Sequence, residues 1–408
     1  MTEINIAIPA GESKRLKTAG KYCETDIVVT AEGGGGSYNP PETKVLDPKE
    51  VYRTTRPQDW LPMPTPGDDE MYLLGHIPDG LSGCFTAQIN WGSSGSCLVE
   101  IGTVENGVFV AKETINPPKN ERFYHSIAKD AYGNITADGY RQYMVRIKGS
   151  MSKADLLQDH MNQSGVYMLV DAAIGLAANI MLGSSQKSKE AHMCLRYVRY
   201  IGNGGETVGS TTLANCVGLL SVSADKVINR SYSTYMFFSC RNLLAISPEF
   251  FISGISYNYA FSNSGSIALP NKKFALESCT AMFRETNIPK VDGTYIDTSA
   301  ITSFDFFIYN SKTQEAININ ISSATSFSGA FTLTPFYRFT FAGETTPGGW
   351  TIALTSGRMY HDALVELIDS LPVALAPATI DITGNPGTSK LTEDEIAVAT
   401  AKNWTVTF

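Results

Sequence analysis

Apolar and polar residues alternate with a period of two over most of the chain, which predicts strands with one face turned to a core. Two such runs, 4–8 and 26–30, flank Pro9-Ala-Gly11 and the basic stretch Lys14-Arg15-Leu-Lys17. About 30 residues are too few to close a core alone, so 1–32 reads as a small β module that docks elsewhere. Gly33-Gly-Gly-Gly36-Ser37 and Asn39-Pro-Pro41 make 33–44 a linker, flexible first and stiffer after. Over 45–163 the pattern predicts antiparallel strands at 71–77, 84–91, 97–104, 108–113 and 140–147, with Asn106-Gly107 as a type I′ hairpin turn. Pro57, Pro62, Pro64 and Pro66 mark a preceding loop that cannot join a ladder. Several short strands joined by turns make a β-sandwich.

From 164 to 355 the pattern repeats. Leu213, Phe237, Phe261, Phe283, Phe307 and Phe331 follow one another at spacings of 24, 24, 22, 24 and 24 residues. Cys216 and Cys240, Leu219 and Leu243, and Val222 and Ile246 keep the same step of 24. Short apolar alternations follow the aromatic anchors at 243–247, 266–270, 288–291, 317–321 and 339–341, and runs at 166–171 and 194–200 open the series. A period of about 20–29 residues with one strand per turn is the pattern of a leucine-rich-repeat solenoid. Each coil stacks its anchor on the last, building a core that no single coil could bury. Residues 356–408 read as an α/β cap on the open end. There Tyr360, Ala363, Leu364, Leu367, Ile368 and Leu371 share one helix face, and Pro372 stops that helix. A strand at 379–383 and the turn Gly384-Asn-Pro-Gly387 follow. Thr392-x-x-Glu395 is a capping box opening a second helix, Asn403 suits a left-handed C-terminal position, and 404–408 alternates as a final strand. The expected fold class is therefore mainly β and multidomain.

Composition narrows the function. The 408 residues carry 32 basic and 40 acidic side chains, a net charge of −8, which argues against a nucleic-acid binder. Seven cysteines (Cys23, Cys84, Cys97, Cys194, Cys216, Cys240, Cys279) form no CxxC pair and read as small buried hydrophobes. The start, Met1-Thr-Glu-Ile-Asn, lacks the charge and apolar core of a signal peptide. The longest apolar stretch, 166–182, holds Asp171 and Asn179, and a mid-span aspartate costs about 2.5–3.5 kcal/mol on insertion. The expectation is a soluble chain made in a reducing cytosol, with no membrane insertion.

Candidate chemistry is sparse. His76, His125, His160, His192 and His361 are scattered without ligand spacing, so no metal is expected. No GxSxG occurs, and Gly92-Ser-Ser-Gly-Ser96 and Gly202-Asn-Gly-Gly205 lack the P-loop lysine. Asp68-Asp-Glu70 reads as a solvated turn. Asp130, Asn134 and Asp138-Gly139 are oxygen-rich but lack EF-hand spacing. The acids of the repeats (Asp225, Glu249, Glu277, Glu285, Asp292, Asp297, Asp305, Glu315) fall mostly in variable positions rather than stacking in register. The expectation is no enzyme and no cofactor. What remains is a display surface: Tyr232, Tyr235, Tyr257, Tyr259, Tyr309, Tyr337 and Arg338 are the candidate recognition residues, of types favoured in contacts.

Three motifs point to a family. Ile8-Pro-Ala-Gly-Glu-Ser-Lys-Arg-Leu-Lys-Thr-Ala-Gly-Lys-Tyr-Cys-Glu-Thr-Asp-Ile-Val-Val-Thr30 resembles an N-terminal module of tail and minor structural proteins in phages and prophages of Gram-positive hosts. Phe237-Phe-Ser-Cys240-Arg-Asn-Leu243 is similar to the surface-antigen type of leucine-rich repeat, with Ser264, Thr286, Asn310 and Thr334 standing for the Cys in other coils. Leu391-Thr-Glu-Asp-Glu-Ile-Ala-Val-Ala-Thr-Ala-Lys-Asn-Trp-Thr-Val406 is similar to the terminus of repeat-bearing phage tail proteins. Arg56-Pro-x-x-Trp60-Leu-Pro62 and Gly139-Tyr-Arg-Gln-Tyr-Met-Val-Arg-Ile147 resemble their immunoglobulin-like (PKD-type) domain, although Glu100-Ile-Gly-Thr103 replaces Trp-Gly-Asp-Gly. The resemblance implies a virion protein of the tail or baseplate, synthesised in the host cytoplasm. Its N-terminal module would bind other virion proteins and its repeats a host cell-surface glycan or protein. Homotrimers follow by analogy with tail fibres, although no coiled-coil heptads are present. The alternative is an architectural or capsid-decorating virion protein. A secreted bacterial adhesin and a glycan depolymerase stand behind it.

Overall fold

The computed structural model describes residues 13–20, 23–30, 44–128, 134–156, 168–175, 179–182, 194–201, 213–227, 233–265 and 267–408. The strand expected at 4–8, the linker over 33–43 and the joint expected at 163/164 lie outside the described residues. Strands make up 37% and helices 11%, so the mainly β class holds, with several sheets. Two compact units divide the chain, residues 1–41 and 42–408.

In the first unit, β1 (Ser13–Gly20) and β2 (Cys23–Thr30) form an antiparallel hairpin. Lys14, Arg15 and Lys17, expected in a connection, lie inside β1. Lys17 stands opposite Asp26 in the register.

The second unit opens with α1 (Pro48–Thr55), started by the Asp47 side chain accepting the Lys49 N–H at 2.9 Å, with Pro48 in the first turn. Strands β3 (Glu70–Pro78), β4 (Gly83–Asn90), β5 (Cys97–Glu105), β6 (Val108–Ile115), β7 (Arg122–Ile127), β8 (Asn134–Ile135), β9 (Tyr140–Gly149), β10 (Lys153–Asp155), β11 (Met168–Ile174) and β12 (Asn179–Met181) follow. The β5–β6 hairpin turns at Asn106 and Gly107, both with positive φ (51° and 79°). Strand β7 pairs antiparallel with β4, and β10 and β12 extend that sheet to four strands. Side chains of this sheet (Phe85, Ile89, Phe123) share one core with Leu73, Val99, Val145 and Ile147 of β3, β5 and β9.

The larger sheet does not stop at the antiparallel strands. Strand β11 pairs antiparallel with β3 on one side and parallel with β13 (Tyr197–Tyr200) on the other. β14 (Ser221–Ala224) and β15 (Ala245–Ile246) then add in parallel, each 24 residues on: Tyr197 faces Ser221, and Ser221 faces Ala245. Nine strands belong to it. The outer face at this change of direction is closed by α1 and the loop after it. Arg56 bonds the fully buried Asp171 (2.8 Å) and the Leu61 carbonyl (2.6 Å), while Trp60 packs edge-on against His76 (4.9 Å) and Tyr197 (6.1 Å).

Shorter parallel strands continue the winding: β16 (Ile255–Ser256), β17 (Phe274–Ser278), β18 (Lys290–Asp292), β19 (Ile296–Asp297), β20 (Glu315–Asn320) and β21 (Arg338–Ala342). Residues 267–270, expected as a strand, carry none; Pro270 has no N–H to give a ladder. The anchor rings touch in succession, Phe237–Phe261 at 5.4 Å, Phe261–Phe283 at 5.8 Å, Phe283–Phe307 at 5.4 Å and Phe307–Phe331 at 6.4 Å. Strands β22 (Thr345–Gly348), β23 (Thr351–Ala353), β24 (Val373–Ala376), β25 (Ala378–Asp381) and β26 (Trp404–Thr407) close the end with helices α2 (His361–Ser370) and α3 (Glu393–Ala401). Helix α2 buries Leu364, Leu367 and Ile368; α3 carries the complete Thr392/Glu395 capping box, and Asn403 has a φ of 66°.

Candidate recognition face

Opposite the strands, each turn of chain bends sharply, and these bends are tied to one another by main-chain bonds. Tyr235, Phe237 and Ser239 donate N–H groups to the carbonyls of Asn258, Ala260 and Ser262. Tyr259, Phe261 and Asn263 donate to Thr280, Met282 and Arg284; Ala281, Phe283 and Glu285 donate to Asp305, Phe307 and Tyr309. Phe306, Ile308 and Asn310 donate to Ser328, Ala330 and Thr332, all twelve bonds being 2.8–3.1 Å long. Every bend places left-handed residues four apart: 235 and 239, 259 and 263, 281 and 285, 306 and 310, 329 and 333, with φ between 48° and 61°.

This register corrects one anchor. The position of Phe237, Phe261 and Phe283 is taken next by Ile308, with Phe307 one residue earlier; both are fully buried, and the Phe307 ring joins the stack from its neighbouring place. In the column that begins with Cys216 and Cys240, Ser311 stands where Asn310 was expected. That column is a buried polar seam. Cys240 Sγ donates to the Leu213 carbonyl (3.1 Å), Ser264 Oγ to Phe237, Ser311 Oγ to Thr286 (3.1 Å) and Thr334 Oγ1 to Ile308. Burial pushes the Cys216 thiol up to about 12 and the Cys240 thiol well above its ordinary value, so both stay protonated.

The bends decide which aromatics face out. Tyr257 falls in the inward column with Ser233, Cys279, Phe304 and Phe327, all buried, and its hydroxyl donates to the Ile252 carbonyl at 3.0 Å. It is a core residue. Tyr259, two places on, lies in the outward column and stacks on Tyr235 at 4.8 Å with planes 8° apart; Phe238 meets Tyr235 edge-on at 5.6 Å. The next outward position is Ala281, whose side chain is small. After it comes Phe306, 37% exposed, edge-on to Tyr309 at 5.4 Å. The Arg284 guanidinium lies 6.0 Å from the Phe306 ring and 5.7 Å from Tyr309, and bonds Glu285 at 3.0 Å. Phe306 and Arg284 were not singled out from the sequence; only the register of the left-handed pairs shows that they face out.

Ala281, between Tyr259 and Phe306 in this column, is 1% exposed, so neighbouring side chains close over it. Arg284 adds a cation and hydrogen-bond donor beside Phe306 and Tyr309.

The other candidates are tied elsewhere. Arg338 bonds Glu366 of α2 through Nε at 2.7 Å and lies 4.0 Å from Glu315, and Tyr337 receives a bond from Arg358 at 3.1 Å. Tyr232, His160, His192, Asp130 and Gly202-Asn-Gly-Gly205 lie outside the described residues. Asn134 donates to the Asp59 carbonyl (2.9 Å) and the Gln142 side chain (3.1 Å). The repeat acids serve the fold: Asp225 pairs with Lys49 (2.8 Å), Asp292 with Lys290 (3.2 Å), and Asp305 accepts the Ser328 N–H (2.9 Å). Among the described residues, no group of three or more His, Cys, Asp or Glu side chains could hold a metal ion, and no helix is long and apolar enough to cross a membrane. Comparison with known proteins gives no match: no family model, curated protein or solved structure aligns with the chain.

Proposed function

We propose that this chain is a structural component of a phage tail or baseplate that acts in non-covalent recognition of the host surface. On this reading residues 164–355 are a leucine-rich-repeat-type solenoid that shares a sheet with the immunoglobulin-like antiparallel region 45–163, 356–408 its cap, and 1–32 the module that attaches to the virion. The observation that carries the reading is the outward column of rings Tyr235, Tyr259 and Phe306, with Arg284 beside Phe306. Nothing in the fold requires large rings at these left-handed, solvent-facing positions, where a β-branched or bulky residue is disfavoured. Their use there favours a contact role, since aromatic and arginine side chains concentrate binding energy. A pyranose ring of a wall glycan suits this strip: its C–H face lies on the exposed Phe306 ring and its hydroxyls reach Arg284 beside it. Several copies on one particle would raise a weak single-site affinity by avidity.

The test is co-sedimentation of the full chain with cell walls of Gram-positive bacteria. Saturable binding is expected, weakened about tenfold or more in a Tyr259→Ala, Phe306→Ala double variant, since about 1.4 kcal/mol of lost stacking is tenfold. Equal binding by the double variant and the parent chain would remove the recognition face.

A further inference from the structure

The ladder of bends ends at a gap. The bend at 325–333 accepts bonds from the one before it, and its own forward N–H groups, on Phe327, Gly329, Phe331 and Leu333, have no hydrogen-bond partner among the described residues. The next chain in line is β23. It bonds β25 on its far side, where Thr379 N–H meets the Trp350 carbonyl at 3.0 Å and Leu354 N–H meets Asp381 at 2.7 Å. By the alternation of a strand, the N–H and C=O groups of Thr351 and Ala353 then point back toward the bend, and they too are unpartnered among the described residues. Between the two edges lies a cavity of about 440 Å³ lined by residues 325–332 and 350–353. The indole Nε1–H of Trp350, whose side chain packs on Phe327 at 4.5 Å and Trp404 at 5.5 Å, is buried there without a partner.

Every other step between bends from 235 to 332 is closed by direct main-chain bonds. This one is held open, with a row of donors on one wall and a strand edge on the other. A buried donor such as Trp350 Nε1 is normally satisfied. We propose that the gap is a strand-addition site that takes an extended peptide of another protein. The peptide's carbonyls would accept from Phe327, Gly329, Phe331 and Trp350 Nε1, and its opposite edge would pair with Thr351 and Ala353. Ser326, Ser328, Thr332, Thr351 and Ala353 line the gap with small side chains, which leaves its space to the peptide. Recognition through the main chain is the β-augmentation mode, in which backbone bonds give affinity and alternate side chains give specificity. It is independent of the outward aromatic column.

The test pans a randomised nine-residue peptide library against the full chain and against a Thr351→Trp variant, whose exposed substitution fills the gap without touching the core. Enriched peptides are then labelled with fluorescein and titrated. Expected are peptides that bind the parent at least tenfold more tightly than Thr351→Trp and lose binding when alternate amides on one edge are N-methylated. They should also slow amide exchange in 325–333 and 350–354. Trp350→Phe, which removes the Nε1 donor together with part of the ring packed on Phe327 and Trp404, should weaken them severalfold. No enrichment over the filled variant, or undiminished binding by the N-methylated analogues, overturns the proposal; so does slowed exchange with soluble wall glycan in place of peptide.

Discussion

At the scale of single residues, the telling groups are polar ones placed where water is absent. His76 is buried between Trp60 and Tyr140, bonded to Gln142 at 2.9 Å and close to Arg56 and Arg196, with Asp59 the acid nearby. Burial first, then those cations, pull it from 6.5 down to about 4. Between these values the unfolded chain holds a proton that the folded chain refuses, so stability falls as pH drops through that window. At about 1.4 kcal/mol per unit, the loss sums to about 3 kcal/mol. Burial raises the Asp171 carboxyl despite Arg56 and Arg199, and that group works in the opposite sense, favouring the folded state as pH falls. Urea titrations from pH 7 to pH 4 should show the decline for the parent chain and a flatter profile for His76→Gln. Equal slopes would mean that this imidazole is solvated.

At the scale of the element, the unit is a bend with two left-handed residues four apart, and much of its neighbourhood was legible in the chain. Asn106-Gly107, the Thr392/Glu395 box and Asn403 are local devices whose chemistry forces their geometry, and the structure has all three. The bends were not legible as bends, because their left-handed positions hold Tyr235, Ser239, Tyr259, Ala281, Glu285, Phe306 and Leu333 beside Asn263, Asn310 and Gly329. Without them, Tyr257 and Tyr259 look alike, and Phe307 looks a better match to Phe283 than Ile308 does. Helix α1 carries little apolar pattern, since only Pro48 and Val51 are buried along it. The polar seam explains why Cys, Ser and Thr interchange in one column: each offers a hydrogen to a buried carbonyl. Ser264→Ala should cost about 0.5–1.5 kcal/mol by removing one of the two hydrogen bonds on the Phe237 carbonyl, which keeps the Cys240 N–H, whereas Ser264→Cys should cost less, as Cys240 shows the geometry works. Denaturant midpoints of the two variants decide this; equal losses would make the seam a matter of packing alone.

At the scale of the molecule, the second unit is organised by one sheet that changes from antiparallel to parallel at β11. Residues expected to belong to separate sandwich and repeat regions share its strands and its core. Sequence periodicity marks the two patterns but not their fusion, because the joint is made by long-range contacts such as Arg56 with Asp171 and Trp60 with Tyr197. A fused frame of this kind holds the bends in fixed register, so the outward column of rings forms a rigid strip. The claim that this strip contacts the host is tested most directly by amide exchange of the full chain with and without solubilised Gram-positive wall glycan. The account predicts slowed exchange concentrated in 258–263, 280–285 and 305–310. Slowing confined to 70–149, or none at saturating glycan, would contradict it.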